Sequence, residues 1–120
     1  MAKVLLVDDE EKLIVNVKIF LEMNGFEVVT AFDGEEGLAK LKSEQPDLIV
    51  TDVMMPGMDG FTMLKEIRMN DEYRDIPIIM LTAKESISDL YELEGANEFL
   101  PKPFEMSNLI NAINKCLPTA

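Results

Sequence analysis

Short apolar runs alternate five times with stretches of helical periodicity along this chain. KVLLV at residues 3–7 is brief, apolar after its first residue and stopped by Asp8 and Asp9, which predicts a buried strand. From Glu11 to Met23, Leu13, Ile14, Val17, Phe20 and Leu21 recur at helical spacing, and Asn24 and Gly25 follow with residues that tolerate a left-handed backbone. Residues 27–31 predict a second strand. Asp33, with Glu36 three positions later, carries the capping-box signature of a second helix, which Pro46 ends. Residues 47–51 predict a third strand and 54–57 a Pro-Gly turn. Phe61, Leu64 and Ile67 mark the inner face of a third helix, with Asp59 beside Gly60 as its cap. A fourth strand is predicted over 76–81, where Pro77 is tolerable near the start. A short helix around 86–94, a fifth strand over 98–100 and a last helix carrying Leu109, Ile110, Ile113 and Leu117 complete the series.

Strand and helix in strict alternation predict an α/β fold, an open parallel sheet with helices on both faces. Crossovers in such sheets are right-handed, and ligands bind beyond the carboxyl ends of the strands at a topological switch point. At 120 residues the chain has the size of one domain, expected to run over 1–120 with its core at about 3–117 and no output domain.

Composition narrows the chemistry. A net charge of -12 disfavours a nucleic-acid surface and binding to anionic membranes, both of which need a basic footprint. No apolar run approaches the roughly 20 residues of a membrane span, and the N-terminus makes a poor signal peptide. The single cysteine, Cys116, rules out an internal disulfide framework; as a small apolar filler it suits a reducing, cytoplasmic setting. There are no histidines, so the usual general base and commonest transition-metal ligand are missing. Carboxylates, hydroxyls, lysine or a hard metal must carry any reaction.

The polar residues that follow the predicted strands are the informative ones. Asp8 and Asp9 follow the first, Asp52 the third, Thr82 the fourth and Lys102 the fifth. All these strand ends lie on one edge of a parallel sheet, so three carboxylates, a hydroxyl and an ammonium should converge on one pocket. Three gathered carboxylates repel one another, and an all-oxygen, histidine-free set suits Mg²⁺. Metal and lysine together would neutralise charge on equatorial phosphoryl oxygens, and a carboxylate can itself be the nucleophile, giving an acyl phosphate.

VDDE after the first strand, DLIVTDVMMPGMDG around the third, LTAK after the fourth and LPKPF after the fifth resemble, as a set, the signatures of bacterial response-regulator receiver domains, over nearly the whole chain. The resemblance implies a flavodoxin-like doubly wound fold of strand order 2-1-3-4-5. It implies Asp52 as phosphoacceptor, and Mg²⁺ (with Mn²⁺ as a substitute) held by Asp8, Asp9, Asp52 and the Met54 main-chain carbonyl. Thr82 would bond the phosphoryl group and move toward it, Lys102 would form an ion pair with it, and the Lys102–Pro103 bond would be cis. Phe99 would be the aromatic that turns inward on activation; it lacks the hydroxyl of a tyrosine. The implied partners are a sensor histidine kinase or histidine phosphotransfer protein, because the chain has no histidine to act as donor, and an unknown downstream target reached by protein–protein docking. The implied function is a phosphoacceptor switch of a two-component or phosphorelay system, not a conventional enzyme beyond its own phosphorylation and slow autodephosphorylation. From Thr82 to Lys102 there are 20 positions, shorter than the family's usual spacing, and the deficit falls around the predicted 86–94 helix.

Simpler readings stand beside these. Asp8 and Asp9 could form a solvated turn with a cap, Thr82 could cap the helix that follows it, Lys102 could be a surface lysine and Phe99 an ordinary core aromatic. Met54, Met55 and Met58 could be loop filler or an adaptable partner surface. Two other functions compete. One is an aspartate-nucleophile phosphatase of the haloacid-dehalogenase type, which places Asp-x-Asp after the first strand and often carries a cap domain. The other is a degenerate receiver serving as a scaffold.

Overall fold

Val4 to Val7 are all apolar, so the strand they form has no face that water can wet and must lie inside a sheet. The computed structural model describes residues 2–53, 60–83 and 95–117. The elements run β1 (Lys3–Val7), α1 (Glu11–Met23), β2 (Glu27–Ala31), α2 (Gly34–Glu44), β3 (Leu48–Asp52), α3 (Gly60–Met69), β4 (Ile78–Ala83), β5 (Glu98–Lys102) and α4 (Met106–Cys116). The strands form one sheet of order β2-β1-β3-β4-β5, every pair parallel. This is the expected doubly wound α/β architecture. The predicted 86–94 helix, the 54–57 turn and the Asp59 cap lie outside the described residues.

The two-residue period of the strands divides the core into two halves. Val4, Leu6, Val50, Ile79 and Leu81 pack on one face with Ile14, Val17 and Leu21 of α1 and Leu109 and Ile113 of α4. Leu5, Val7, Ile49, Ile78 and Met80 pack on the other with Leu41 of α2 and Met63, Leu64 and Ile67 of α3. Leu64 and Ile67 are therefore inward as their spacing predicts, and Met63 joins them. Large apolar side chains bury completely on both faces, each contributing about 1.5–3 kcal/mol.

Three strand ends differ from the hydrophobic pattern. β3 runs one residue further and includes Asp52, β4 starts at Ile78 and includes Thr82, and β5 continues through Lys102. The polar side chains suggested that the strands had stopped, but the backbone ladder is indifferent to side-chain polarity. Asp52 pairs with Leu81, Thr82 with Pro101 and Ala83 with Lys102. At the other end of β4, Ile76 belongs to a turn, its N–H donating to the Tyr73 carbonyl at 3.1 Å. Pro101, which lacks an N–H, is accommodated because β5 is an edge strand.

The helix signals hold with small changes. Asp33 Oδ1 accepts from the Glu36 N–H at 2.8 Å, while Glu36 Oε1 reaches one residue beyond the box, to the Phe32 N–H at 2.6 Å. After α1 it is Gly25 (φ 89°), not Asn24 (φ -100°), that takes the left-handed conformation.

Gly60 opens α3 hard against the end of β3. Its N–H donates to the Val53 carbonyl at 2.8 Å. A Cβ there would collide with the Asp52 carbonyl oxygen and stand 2.9 Å from Val53 Cα. Because both neighbours are backbone, neither can yield without moving Asp52. Gly60→Ala is expected to destabilise the fold by about 1–3 kcal/mol, measured by urea denaturation; a variant as stable as the parent would show that this contact is slack.

Candidate functional site

The parallel register carries the polar strand ends to one edge of the sheet. β1 lies between β2 and β3, so Asp8, one residue past its end, meets Asp52 at the end of β3. Asp8 is fully buried, Asp52 is 6% exposed and Asp9 faces solvent. One carboxylate oxygen from each of the three lies within 4.8 Å of the others. Lys102 reaches in from β5, with Nζ 2.9 Å from Asp8 Oδ2 and 3.4 Å from Asp52 Oδ1. The other Asp8 oxygen accepts from the Glu10 N–H at 2.8 Å. The bland turn reading of Asp8 is thus half right: it makes a local turn, and the same carboxylate is committed to the cluster.

Magnitudes explain why this arrangement persists. At an effective dielectric of about 20, each Lys102 contact is worth about 5 kcal/mol and the Asp8–Asp52 repulsion about 3.5 kcal/mol or more. The attractive surplus offsets only part of the cost of burying these ions, about several kcal/mol each, and the remainder falls on Asp52. One ammonium can do this for two carboxylates, and the third, Asp9, stays in water. Burial first, and then the Asp8 charge, push the Asp52 carboxyl above its ordinary range; Lys102 and the Val53 N–H pull back without restoring it. For Lys102 burial works against the charged form, but bonds and charge from Asp8 and Asp52 prevail and the ammonium is held above its ordinary value.

The donor set fits Mg²⁺. All three acids offer oxygen, and ligands about 2.1 Å from a metal centre lie about 3–4 Å apart, a separation reachable by small carboxylate rotations. Met54 lies outside the described residues. Thr82 is half-buried on β4, one position past the Leu81 that pairs with Asp52, which puts it at the same edge. The Lys102–Pro103 bond is cis. Phe99 pairs with Met80 and is 39% exposed, so its ring stands outward from β5, where Leu100 alone is buried. The Cys116 thiol is pushed up by burial and by Glu98, as suits an apolar filler.

Sequence reasoning passed over two supports of the site. Thr51 is fully buried, and its Oγ1 donates to the Asp52 carbonyl at 3.1 Å. Gly60 abuts the same carbonyl from the other side. A hydroxyl inside an otherwise apolar strand, immediately before the key aspartate, was the available signal for the first.

A carboxyl whose folded pKa is raised stabilises the fold below its unfolded value of 3.8 and loses that contribution as pH rises through the folded value. At neutral pH, ionised Asp52 therefore costs stability. Without divalent cation, Asp52→Asn is expected to stabilise the protein by about 1–2 kcal/mol. Saturating MgCl₂ should reverse the order, because cation at about 100 times its Kd adds about 2.7 kcal/mol to the parent and less to a variant short of one carboxylate. Thermal melts of both proteins with and without MgCl₂ check this; parallel responses would remove Asp52 from the cation site.

Comparison with known proteins agrees with this geometry. The family model for the response regulator receiver domain matches residues 4–114. The alkaline phosphatase synthesis transcriptional regulatory protein PhoP of Bacillus subtilis is 46% identical over 104 residues, 85% of this chain and 42% of its own length. The regulator RpaA of Synechocystis is 38% identical over 98% of this chain and 49% of its own. The chain thus spans about half the length of the curated relatives it matches. Among solved structures, the chemotaxis response regulator CheY4 of Vibrio cholerae superposes with a TM-score of 0.91 at 41% identity, covering 98% of this chain and 99% of that one. The response regulator TrrA of Thermotoga maritima, in complex with Mg²⁺ and BeF, superposes with a TM-score of 0.88 at 35% identity, covering 98% and 100%. With sequence, strand order and the acid–lysine edge in agreement, the chain belongs to the response regulator receiver domain family and is a phosphoacceptor switch of two-component signalling.

Proposed function

We propose that Asp52 is the phosphoacceptor and that a partner's phosphohistidine is the donor. An Asp52 carboxylate oxygen attacks phosphorus, the phosphorus–nitrogen bond breaks, the imidazole leaves with the bonding electrons, and Asp52 becomes an acyl phosphate. The observation that carries this reading is the meeting of Asp8, Asp9 and Asp52 within 4.8 Å, with Lys102 Nζ 3.4 Å from Asp52. Mg²⁺, or Mn²⁺ as a hard substitute, would be held by those three acids and the Met54 carbonyl, and would supply charge neutralisation for the transferred group. Lys102 orients Asp52 beforehand and pairs with the phosphoryl oxygens afterwards, exchanging one anionic partner for another. Thr82 donates a hydrogen bond to the same group, and Phe99 turns inward as the loops reorganise around it. The acyl phosphate carries about 1.5–2 negative charges where the Asp52 carboxylate carried one, and places them further out toward Lys102 and Thr82, enough to bias such a bistable element.

A receiver domain implies a histidine kinase partner; a histidine phosphotransfer protein serves equally well as a source of phosphohistidine. Its imidazole must approach from the open edge of the sheet. A groove of about 480 Å³ opens there, lined by Glu10, Leu13, Asn16, Phe104 and Met106 and reaching Lys102. The phosphorylated form then signals by docking to a target protein in the cytoplasm. No helix among the described residues is long and apolar enough to cross a membrane.

Incubation with acetyl phosphate and Mg²⁺ is expected to add about 80 Da, seen by intact mass and labile to base. Asp52→Asn should abolish the adduct, and Lys102→Met should slow its formation by about 10²-fold with the fold retained. An adduct surviving Asp52→Asn would favour the scaffold reading, and multiple turnover of small phosphate esters would favour the phosphatase.

A further inference from the structure

Lys102 sits on an edge strand with β4 as its neighbour in the sheet. Along β5 only Leu100 is buried, and Pro101 offers no N–H to the ladder next to Lys102. A slip of one residue would turn Lys102 to the opposite face of the sheet, because side chains alternate with period two. Something beyond one leucine must hold the register.

At the far end of the same strand, Arg68 at the C-terminal end of α3 gathers three segments. Its Nε donates to the Gly95 carbonyl at 2.9 Å, and Nη1 donates to the Arg74 and Ile76 carbonyls, each at 2.8 Å. Nη2 donates to Asn97 Oδ1 at 3.1 Å. Asn97 in turn brackets the start of β4: its N–H donates to the Ile78 carbonyl at 2.8 Å, and its Oδ1 accepts from the Ile78 N–H at 2.8 Å. The aliphatic stem of Arg68 lies under Gly95, where an added Cβ would stand 3.5 Å from Arg68 Cγ, and Gly95 has φ +108°. A planar fork with five donors can satisfy this set; an ammonium on a single point cannot.

We propose that Arg68 is a positioning residue for Lys102: with Asn97 it locks the start of β5 in register with β4, and so fixes Lys102 at the phosphoacceptor edge five residues further on. The clamp joins β5 to α3 and to the start of β4. The consequence for phosphorylation rests on the reading of Asp52 and Lys102 given above; the consequence for the strand does not. Among the described residues the Asn97 side chain bonds only through its oxygen, to Arg68 and Ile78, so a carboxylate there should serve as well as the amide.

Three measurements on the full chain test this, on Arg68→Met, which keeps the stem, on Arg68→Lys in case the first variant fails to fold, and on Asn97→Asp. Amide hydrogen exchange in β5 should accelerate by about ten-fold or more in Arg68→Met, with β1 and β3 unchanged, and by a smaller factor in Arg68→Lys. Phosphorylation by acetyl phosphate should slow about ten-fold while Mg²⁺ affinity does not fall, since Lys102 is not a metal ligand and its displacement removes a cation that competes for Asp8 and Asp52. Asn97→Asp should match the parent in both. A folded Arg68 variant with parental exchange in β5 overturns the proposal. So does one whose exchange rises equally in all strands, or whose Mg²⁺ affinity falls along with the rate, because either is a general loss of structure. If the parent itself forms no Asp52 adduct, the phosphoacceptor reading fails, and the exchange data still decide the clamp.

Discussion

The contact between the Lys102 ammonium and the buried carboxylates of Asp8 and Asp52 is the interaction on which the functional edge of this molecule depends. Two acids placed this close inside a protein repel each other and lose hydration, and Asp52 is pushed toward its neutral form. Lys102 keeps them usable: close enough to hold the charge, yet not so committed to Asp52 that the carboxylate is spent, since the shorter bond goes to Asp8. The site is therefore balanced but not saturated. Asp9, left in solvent, adds the third oxygen donor that a hard divalent cation requires.

The rest of the fold serves to make that contact possible. Strands β1, β3 and β4 are buried on both faces, which removes any freedom to slide, and so Asp8 and Asp52 emerge at a fixed offset. Thr51 and Gly60 press on the Asp52 carbonyl from two directions and leave its side chain free to meet the cluster. β5 is different. It carries the cation on a sheet edge with little burial of its own, and the Arg68–Asn97 hydrogen bonds at its start supply the definition that hydrophobic packing supplies elsewhere. Rigid carboxylates and a cation on the least buried strand suit a switch, in which a new anion at Asp52 must be able to draw its partners toward it.

Alternating apolar runs were enough to establish the class of fold, because burial on two faces leaves an unmistakable unbroken hydrophobic stretch in β1 and β3 and a helical period in α1 and α4. Strand ends were less legible. Asp52, Thr82 and Lys102 were read as the residues after their strands, whereas each lies within the ladder, since backbone hydrogen bonds continue under a polar side chain as readily as under an apolar one. The candidate acids and lysine were nonetheless legible as a set, because strand order puts all the C-terminal ends on one edge whatever the last residue of each.

What the sequence determined by itself was the inventory and its topology: an α/β sheet, no histidine, and three carboxylates, a threonine and a lysine at one edge. It could not rank those groups. Asp8 and Asp9 are adjacent and chemically identical, yet one is sealed in the interior with two partners and the other is in water, because the first residue past β1 still lies beneath its neighbours while the next has already turned outward. Nor could it show that Phe99 stands exposed or that Arg68, on another helix, grips the start of β5. Those are consequences of distance between segments far apart in the chain, and only the tertiary structure brings such segments together.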